Sequence, residues 1–185
     1  MSKLTYGEIQ KNRLTEEAAA ASIRRLPVIA ILEDIRSLYN VGSIFRTADG
    51  AHLEAIYTVG YTPHPPRKEI DKTALGATRT VPHKHFETIA EAVSAARVAG
   101  SPPSTRKVAS LEITSNSRSI FEISKEDFPL AIVIGNEITG VSDAAIALSD
   151  FTLEIPMLGA KHSLNVAVAF GVAAFECVRV SQKIS

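Results

Sequence analysis

Residues 155–176 read IPMLGAKHSLNVAVAFGVAAFE, and this stretch decides how the chain folds. Leu153 to Ile155 is the apolar end of a strand, broken by Pro156 and turned at Gly159, where a missing Cβ opens backbone angles closed to other residues. From Leu164 to Phe175 every helical face is apolar apart from Asn165, so a helix here needs cover all round. Its twelve residues are too few to cross a bilayer, which takes about 20. The cover is therefore protein, from the rest of the fold or from a second subunit. His162, Ser163 and Asn165 stand at the mouth of this helix, where the first backbone N–H groups lack internal partners. They read either as a core helix capped by Ser163 or His162, or as a polar cluster that binds something.

Upstream, strands alternate with helices. Leu130 to Ile134 (LAIVI) and Leu26 to Leu32 (LPVIAIL) are short apolar runs of the kind buried parallel strands show. The second ends in a polar loop, Glu33 to Ser37. Asn40 then fits an N-cap, and Val41, Ile44, Phe45, Ala48 and Ala51 form a helical stripe that leaves Ser43 and Arg46 off the buried face. Further strands are expected at Ala55–Gly60 and Lys107–Ile113. An amphipathic helix is expected at Glu87–Ala99, with Ile89, Val93, Ala96 and Val98 inward and Gly100-Ser101-Pro102-Pro103 ending it. Prolines keep Tyr61–Pro66 irregular, Lys72–Gly76 reads as a single turn over the site, Ser119–Ile123 is ambiguous, and a short helix follows at Ser142–Leu148. The pattern predicts an α/β fold with a mainly parallel sheet. Residues 3–25 read as one or two short helices, with Leu14, Ala18, Ala21 and Leu26 at rough helical spacing and Arg24-Arg25 near the end. The expected division is an N-terminal helical arm, residues 1–25, before a single domain, residues 26–185.

A chain of 185 residues that is 45% apolar can bury one sizeable core. Its net charge of zero argues against a wholesale basic nucleic-acid glove. The charge is unevenly spread, however: residues 1–107 carry 15 Lys+Arg against 11 Asp+Glu, and residues 108–185 carry 5 against 9. Between Tyr61 and His85, Arg67, Lys68, Lys72, Arg79 and Lys84 outnumber Glu69 and Asp71, which makes a local basic patch. No signal-peptide pattern opens the sequence, so a cytoplasmic protein with no membrane attachment is expected. The single cysteine, Cys177, reads as core. His64, His83 and His85 lack metal-site spacing, read as surface histidines, and no metal is expected.

Gly135-Asn136-Glu137, with Gly140 just after, follows a buried strand directly, at the carboxyl end where α/β sheets bind ligands. It matches neither G-x-G-x-x-G nor a P-loop, and the chain has no G-x-S-x-G elbow.

Three segments, NVGSIFRTADG (Asn40–Gly50), VIGNEITGVS (Val133–Ser142) and IPMLGAKHSLNVAVA (Ile155–Ala169), together resemble the signatures of the SpoU family of the SPOUT superfamily, RNA ribose 2′-O-methyltransferases. KTALGA (Lys72–Ala77) is similar to the family's linker element, and the resemblance covers about Pro27 to Val178. It implies a deep trefoil knot in the C-terminal third and helices on both faces of the sheet. It also implies a homodimer through the C-terminal helices, which would cover Leu164–Phe175. The implied methyl donor is S-adenosylmethionine (AdoMet), held at Gly135, Ile155, Met157 and Leu164, with Leu111 at the end of the preceding strand. The implied catalytic set is Asn40, Arg46, Glu137, Ser163 and Asn165. Arg46 would act as base or, since arginine stays protonated, as a fixed cation that stabilises the developing alkoxide; a Glu137–Arg46 pair across the site is expected. Many members carry an added RNA-binding domain for which this chain is expected to have no room, so substrate choice falls to the catalytic domain, the dimer, the arm before Leu26 and the basic loop Tyr61–Lys84, with RNA contacts expected at Arg67, Lys68, Lys72 and Arg79. Transfer RNA is the preferred substrate class; rRNA, a base-methylating SPOUT reaction and a non-catalytic RNA-binding module are the alternatives.

Overall fold

In a computed structural model that describes residues 2–11, 13–21, 25–100 and 105–182, the strands are β1 (Leu26–Glu33), β2 (Leu53–Val59), β3 (His83–Phe86), β4 (Lys107–Leu111), β5 (Arg118–Ser119), β6 (Leu130–Ile134) and β7 (Phe151–Glu154). They form one sheet in the order β3-β2-β1-β6-β4-β7-β5, and every ladder is parallel. The helices are α1 (Tyr6–Gln10), α2 (Glu16–Ala21), α3 (Leu38–Gly50), α4 (Lys68–Ala74), α5 (Ala77–Thr80), α6 (Ile89–Val98), α7 (Asp143–Leu148) and α8 (Val166–Gln182). Arg24 and Ser101-Pro102-Pro103 lie outside the described residues.

The continuous apolar runs have their reason in this layering. Val28, Ala30 and Leu32 of β1 face one core shared with α3 and α8, while Ile29 and Ile31 face a second core shared with α6 and α7. A strand buried on both faces has no polar alternation to show. Among the described residues no helix is long and apolar enough to cross a membrane.

Local chemistry moves several boundaries from their sequence positions. Ser37, not Asn40, caps α3: its hydroxyl accepts from the Asn40 N–H at 3.3 Å, which leaves Asn40 inside the first turn with its side chain free for other work. The predicted stripe of α3 is buried as expected, and Arg46 is exposed. Lys72–Gly76 is not an isolated turn. Lys72–Ala74 ends α4, Leu75 caps it and Gly76 caps α5, and α4 packs so closely on α3 that a Cβ at Gly42 would meet Thr73 Oγ1 at 2.0 Å and the Ile70 carbonyl at 2.4 Å. In α6, Ala92, Val93 and Ala96 face inward, but Val98 is 79% exposed. Strand β3 carries HKHF, too polar to read as a strand; it is an edge strand that needs only one neighbour. Of the arm residues, Leu14, Ala18 and Ala21 are exposed and Ala19 is buried.

The long helix α8 starts at Val166, not Leu164, because Asn165 caps it: its Oδ1 accepts from the Ala167 N–H at 2.9 Å. Phe170, Ala173, Ala174, Cys177 and Val180 are buried against the sheet, whereas Val168 and Phe175 are each 53% exposed. Burial pushes the Cys177 thiol up to about 12, with Glu176 and Asp127 adding to it, so it is an inert core residue.

Asp127, 3% exposed, accepts from Arg118 at 2.8 Å, Lys107 Nζ at 3.2 Å and the Ser124 N–H at 3.0 Å. Burial alone would raise its pKa, but these donors overcome it and hold the group at about 2, below the ordinary 3.8. A lowered folded pKa contributes stability above the ordinary value that is lost as pH falls towards the folded one. At 1.36 kcal/mol per unit the contribution is roughly 2 kcal/mol. In urea unfolding, Asp127→Asn is expected to be less stable than the parent at pH 7, with the gap narrowing steadily between about pH 4 and pH 2.

Candidate active site

The carboxyl ends of β4, β6 and β7 open into a cleft of about 610 Å³, lined by the loops after those strands and by the start of α8. Its floor is the hairpin Gly135–Gly140. Asn136 and Gly140 exchange both backbone hydrogen bonds at 3.0 Å, which brings the chain back across Gly135. A Cβ at Gly135 would lie 2.2 Å from Gly140 C and O and from Val141 N, so only glycine fits there. Asn136, 7% exposed, locks the hairpin: its Oδ1 accepts from the Ile138 and Thr139 N–H groups, and its Nδ2 donates to the Asp34 carbonyl at 2.7 Å and to Tyr61 Oη at 2.6 Å. From the far side, Glu112 Oε2 accepts from the Val141 N–H at 2.9 Å.

Glu137 leaves the hairpin tip towards the N-terminus of α3. It accepts from the Arg36 N–H at 3.0 Å, the Ser37 N–H at 3.2 Å and Asn40 Nδ2 at 2.9 Å, the place where a helix N-terminus favours negative charge. Burial pushes its pKa up, but these hydrogen bonds, the Arg36 amide first, outweigh it and hold the carboxyl below its usual range. It is therefore a carboxylate at neutral pH, and its hold on α3 weakens as pH falls through that lowered value. Asn40 Oδ1 in turn accepts from Asn165 Nδ2 at 3.3 Å. Glu137, Asn40 and Asn165, from three distant parts of the chain, thus form one connected row at the cleft mouth.

The expected Glu137–Arg46 pair is absent among the described residues. Arg46 lies six residues beyond Asn40, about 120° around α3, and is not part of the cleft wall. Ser163 is exposed and lines the cleft. Segment 156–164 makes no backbone–backbone hydrogen bond among the described residues, so its N–H and C=O groups are unspent. With Leu111, Ile134, Leu153, Ile155, Leu164 and Val166 around them, the cleft offers apolar faces edged by backbone donors and acceptors. A nucleoside, with flat apolar faces and a polar rim, fits such a wall.

Residues 27–175 match the SpoU rRNA Methylase family. The chain belongs to this family. It is 30% identical to a tRNA (guanosine(18)-2′-O)-methyltransferase of Escherichia coli K12, over 86% of this chain and 66% of that protein. It is also 30% identical to a 23S rRNA (guanosine-2′-O-)-methyltransferase of a Burkholderia species, over 90% and 68%. The SpoU methyltransferase AviRb from Streptomyces viridochromogenes, solved in complex with AdoMet, superposes with a TM-score of 0.74 at 27% identity, covering 88% of this chain and 62% of that one. The chain thus spans about two thirds of these relatives' length.

Against the SpoU pattern, Leu111, Gly135, Ile155, Met157 and Leu164 all line the cleft, as do Glu137, Ser163 and Asn165, with Asn40 joined through Glu137 and Asn165. Arg67 and Lys68 at the start of α4 and Lys72 in its last turn are all exposed. Arg79 is engaged instead: Nε and Nη2 both donate to the Glu16 carboxylate of the arm, at 3.1 and 2.9 Å. Glu112 and Tyr61, which brace the hairpin, carried no sequence signal, since a lone glutamate after a strand and a lone tyrosine in a loop are both ordinary.

Proposed function

We propose that this SpoU chain is an AdoMet-dependent RNA methyltransferase acting on a ribose 2′-hydroxyl, most of all of tRNA. The observation that carries the reading is the row Glu137–Asn40–Asn165 at the mouth of a nucleoside-sized cleft, and the names of the relatives support it. The E. coli relative favours tRNA; the Burkholderia relative, equally similar, keeps rRNA as the second reading.

Leu111, Gly135, Ile155, Met157 and Leu164 would hold AdoMet, the apolar side chains against the adenosine and the unspent backbone groups along its polar edges. When bound, AdoMet supplies a methyl already activated on a sulfonium, whose leaving thioether is neutral. The protein then has to position a ribose hydroxyl and accommodate the charge it develops. Glu137, fixed by two backbone amides, orients the Asn40 amide, and Asn40 and Asn165 orient one another. With the Ser163 hydroxyl they present donors and acceptors to the ribose. Arg46 is the cation for the developing alkoxide or the adjacent phosphate, and as the S–CH3 bond breaks and the O–CH3 bond forms the hydroxyl proton passes to that phosphate or to solvent water.

Arg46 stands off the cleft of its own chain, and α8 exposes Val168 and Phe175, so the working unit is a homodimer through α8. A Cβ at Gly50, at the same end of α3 as Arg46, would lie 3.9 Å from the Phe175 ring, which sets Arg46 near that interface. The knot, with 155–165 drawn across the β4 and β6 loops before α8, the division into an arm (1–25) and a catalytic domain (26–185), and a cytoplasmic location complete the reading.

The test is transfer of labelled methyl from AdoMet to tRNA and, separately, to rRNA, each from cells lacking the protein. Label in the tRNA pool supports the first reading and label in rRNA the second; label in neither, with AdoMet bound, contradicts both. Reversing Arg67, Lys68 and Lys72 to glutamate is expected to weaken RNA binding at least 10-fold at low salt, to flatten its salt dependence, and to leave AdoMet affinity intact; filter binding across a salt series checks this.

A further inference from the structure

Tyr61 is 60% exposed, which for a single aromatic residue is ordinary; what is not ordinary is how firmly it is held. Its backbone N–H donates to Asp34 Oδ1 at 3.1 Å, and its hydroxyl accepts from the buried Asn136 amide at 2.6 Å. The direction of the second bond is fixed, because Asn136 Oδ1 already accepts two backbone N–H groups, so the nitrogen must face Tyr61. The hydroxyl proton of Tyr61 is therefore left over for an outside acceptor. The residue is tied at both ends while most of its surface stays open to solvent. Its partner Asn136 adjoins Glu137, which holds Asn40, and Tyr61 itself stands at the start of the loop that leads to Arg67 and Lys68.

Resting on the RNA-modifying reading above, we infer that Tyr61 is a substrate residue: its ring stacks on an unpaired base beside the target nucleotide. Single-stranded RNA is read by stacking on aromatic side chains, which every base can do. A ring already immobilised loses little side-chain freedom on binding. A ring that merely braced Asn136 would need its hydroxyl and not its face, and the two roles separate by substitution.

The chain contains no tryptophan, so Tyr61→Trp introduces a unique fluorescent reporter at the stacking position. Full-length Tyr61→Leu, Tyr61→Phe and Tyr61→Trp would be titrated with fluorescein-labelled bulk tRNA and, in parallel, with rRNA, with AdoMet affinity and Tm measured for each. Tyr61→Leu is expected to bind RNA on the order of 10-fold more weakly than the parent. Tyr61→Phe should stay within about 3-fold and the indole of Tyr61→Trp should be quenched on saturation; each variant loses the hydroxyl that braces Asn136, so any change in AdoMet affinity should be the same in Tyr61→Phe as in Tyr61→Leu. RNA affinity unaltered in Tyr61→Leu, Tyr61→Phe as damaging as Tyr61→Leu, or an unquenched indole on saturated protein would overturn the inference alone. A parent protein that binds neither RNA would overturn the underlying reading with it.

Discussion

Replacing Arg46 with alanine is expected to slow methyl transfer about 10²- to 10³-fold, the usual cost of losing a fixed group that meets developing charge, while AdoMet binds as before. Arg46 is exposed, lies outside the cleft and has no ion pair among the described residues, so its removal leaves the core and the cofactor wall intact. Its place on α3 adds a stricter expectation. If it serves the cleft of the partner protomer, a heterodimer of one Arg46→Ala and one Gly135→Ala protomer retains one complete site, an intact cleft facing an intact Arg46, and should run at about half the parent rate. If Arg46 serves its own cleft, the same heterodimer has no complete site. Differently tagged protomers, co-expressed and purified through both tags, distinguish the two.

Gly135→Ala is expected to abolish AdoMet binding in calorimetric titration. The new methyl would lie 2.2 Å from the backbone of Gly140 and Val141, and backbone tied by the Asn136–Gly140 pair cannot turn aside as a flexible side chain could. The hairpin must open, which moves the cleft floor and the Glu137 that leaves its tip. Overpacking of this kind costs roughly 1–3 kcal/mol, a fall of about 5 °C in Tm for a chain of this size. The protein is expected to stay folded, so lost binding with a moderate loss of Tm is the signature; unimpaired AdoMet affinity would mean that the hairpin does not form the cofactor wall.

What the sequence made legible follows from how local each cause was. The stripe of α3 and the apolar runs of β1 and β6 were readable because burial on a fixed face leaves a periodic record. The loop after β6 was readable as a candidate ligand site because its glycines follow a buried parallel strand directly, whereas Leu111 and Ile155, at the ends of β4 and β7, came only from the resemblance to the SpoU signatures. Strand β3 was not, because an exposed edge pairing has no need of apolar side chains. The cap of α3 passed from Asn40 to Ser37 because Asn40 is drawn to Glu137, 97 residues on, and a competition between a local and a distant hydrogen bond leaves no trace in either neighbourhood. The same distance hid the roles of Glu112 and Tyr61, and it misdirected the pairing of Arg46, since two charges in one signature set need not meet within one chain.

The most direct test is where the transferred methyl sits. RNA labelled by this protein from AdoMet would be digested in alkali, which needs a free 2′-hydroxyl to cleave the backbone. Label recovered in an alkali-stable dinucleotide is the predicted result, because a ribose 2′-O-methyl blocks cleavage at that linkage alone. Label recovered in mononucleotides would put the methyl on a base and contradict the assignment of the Glu137–Asn40–Asn165 row to a ribose hydroxyl.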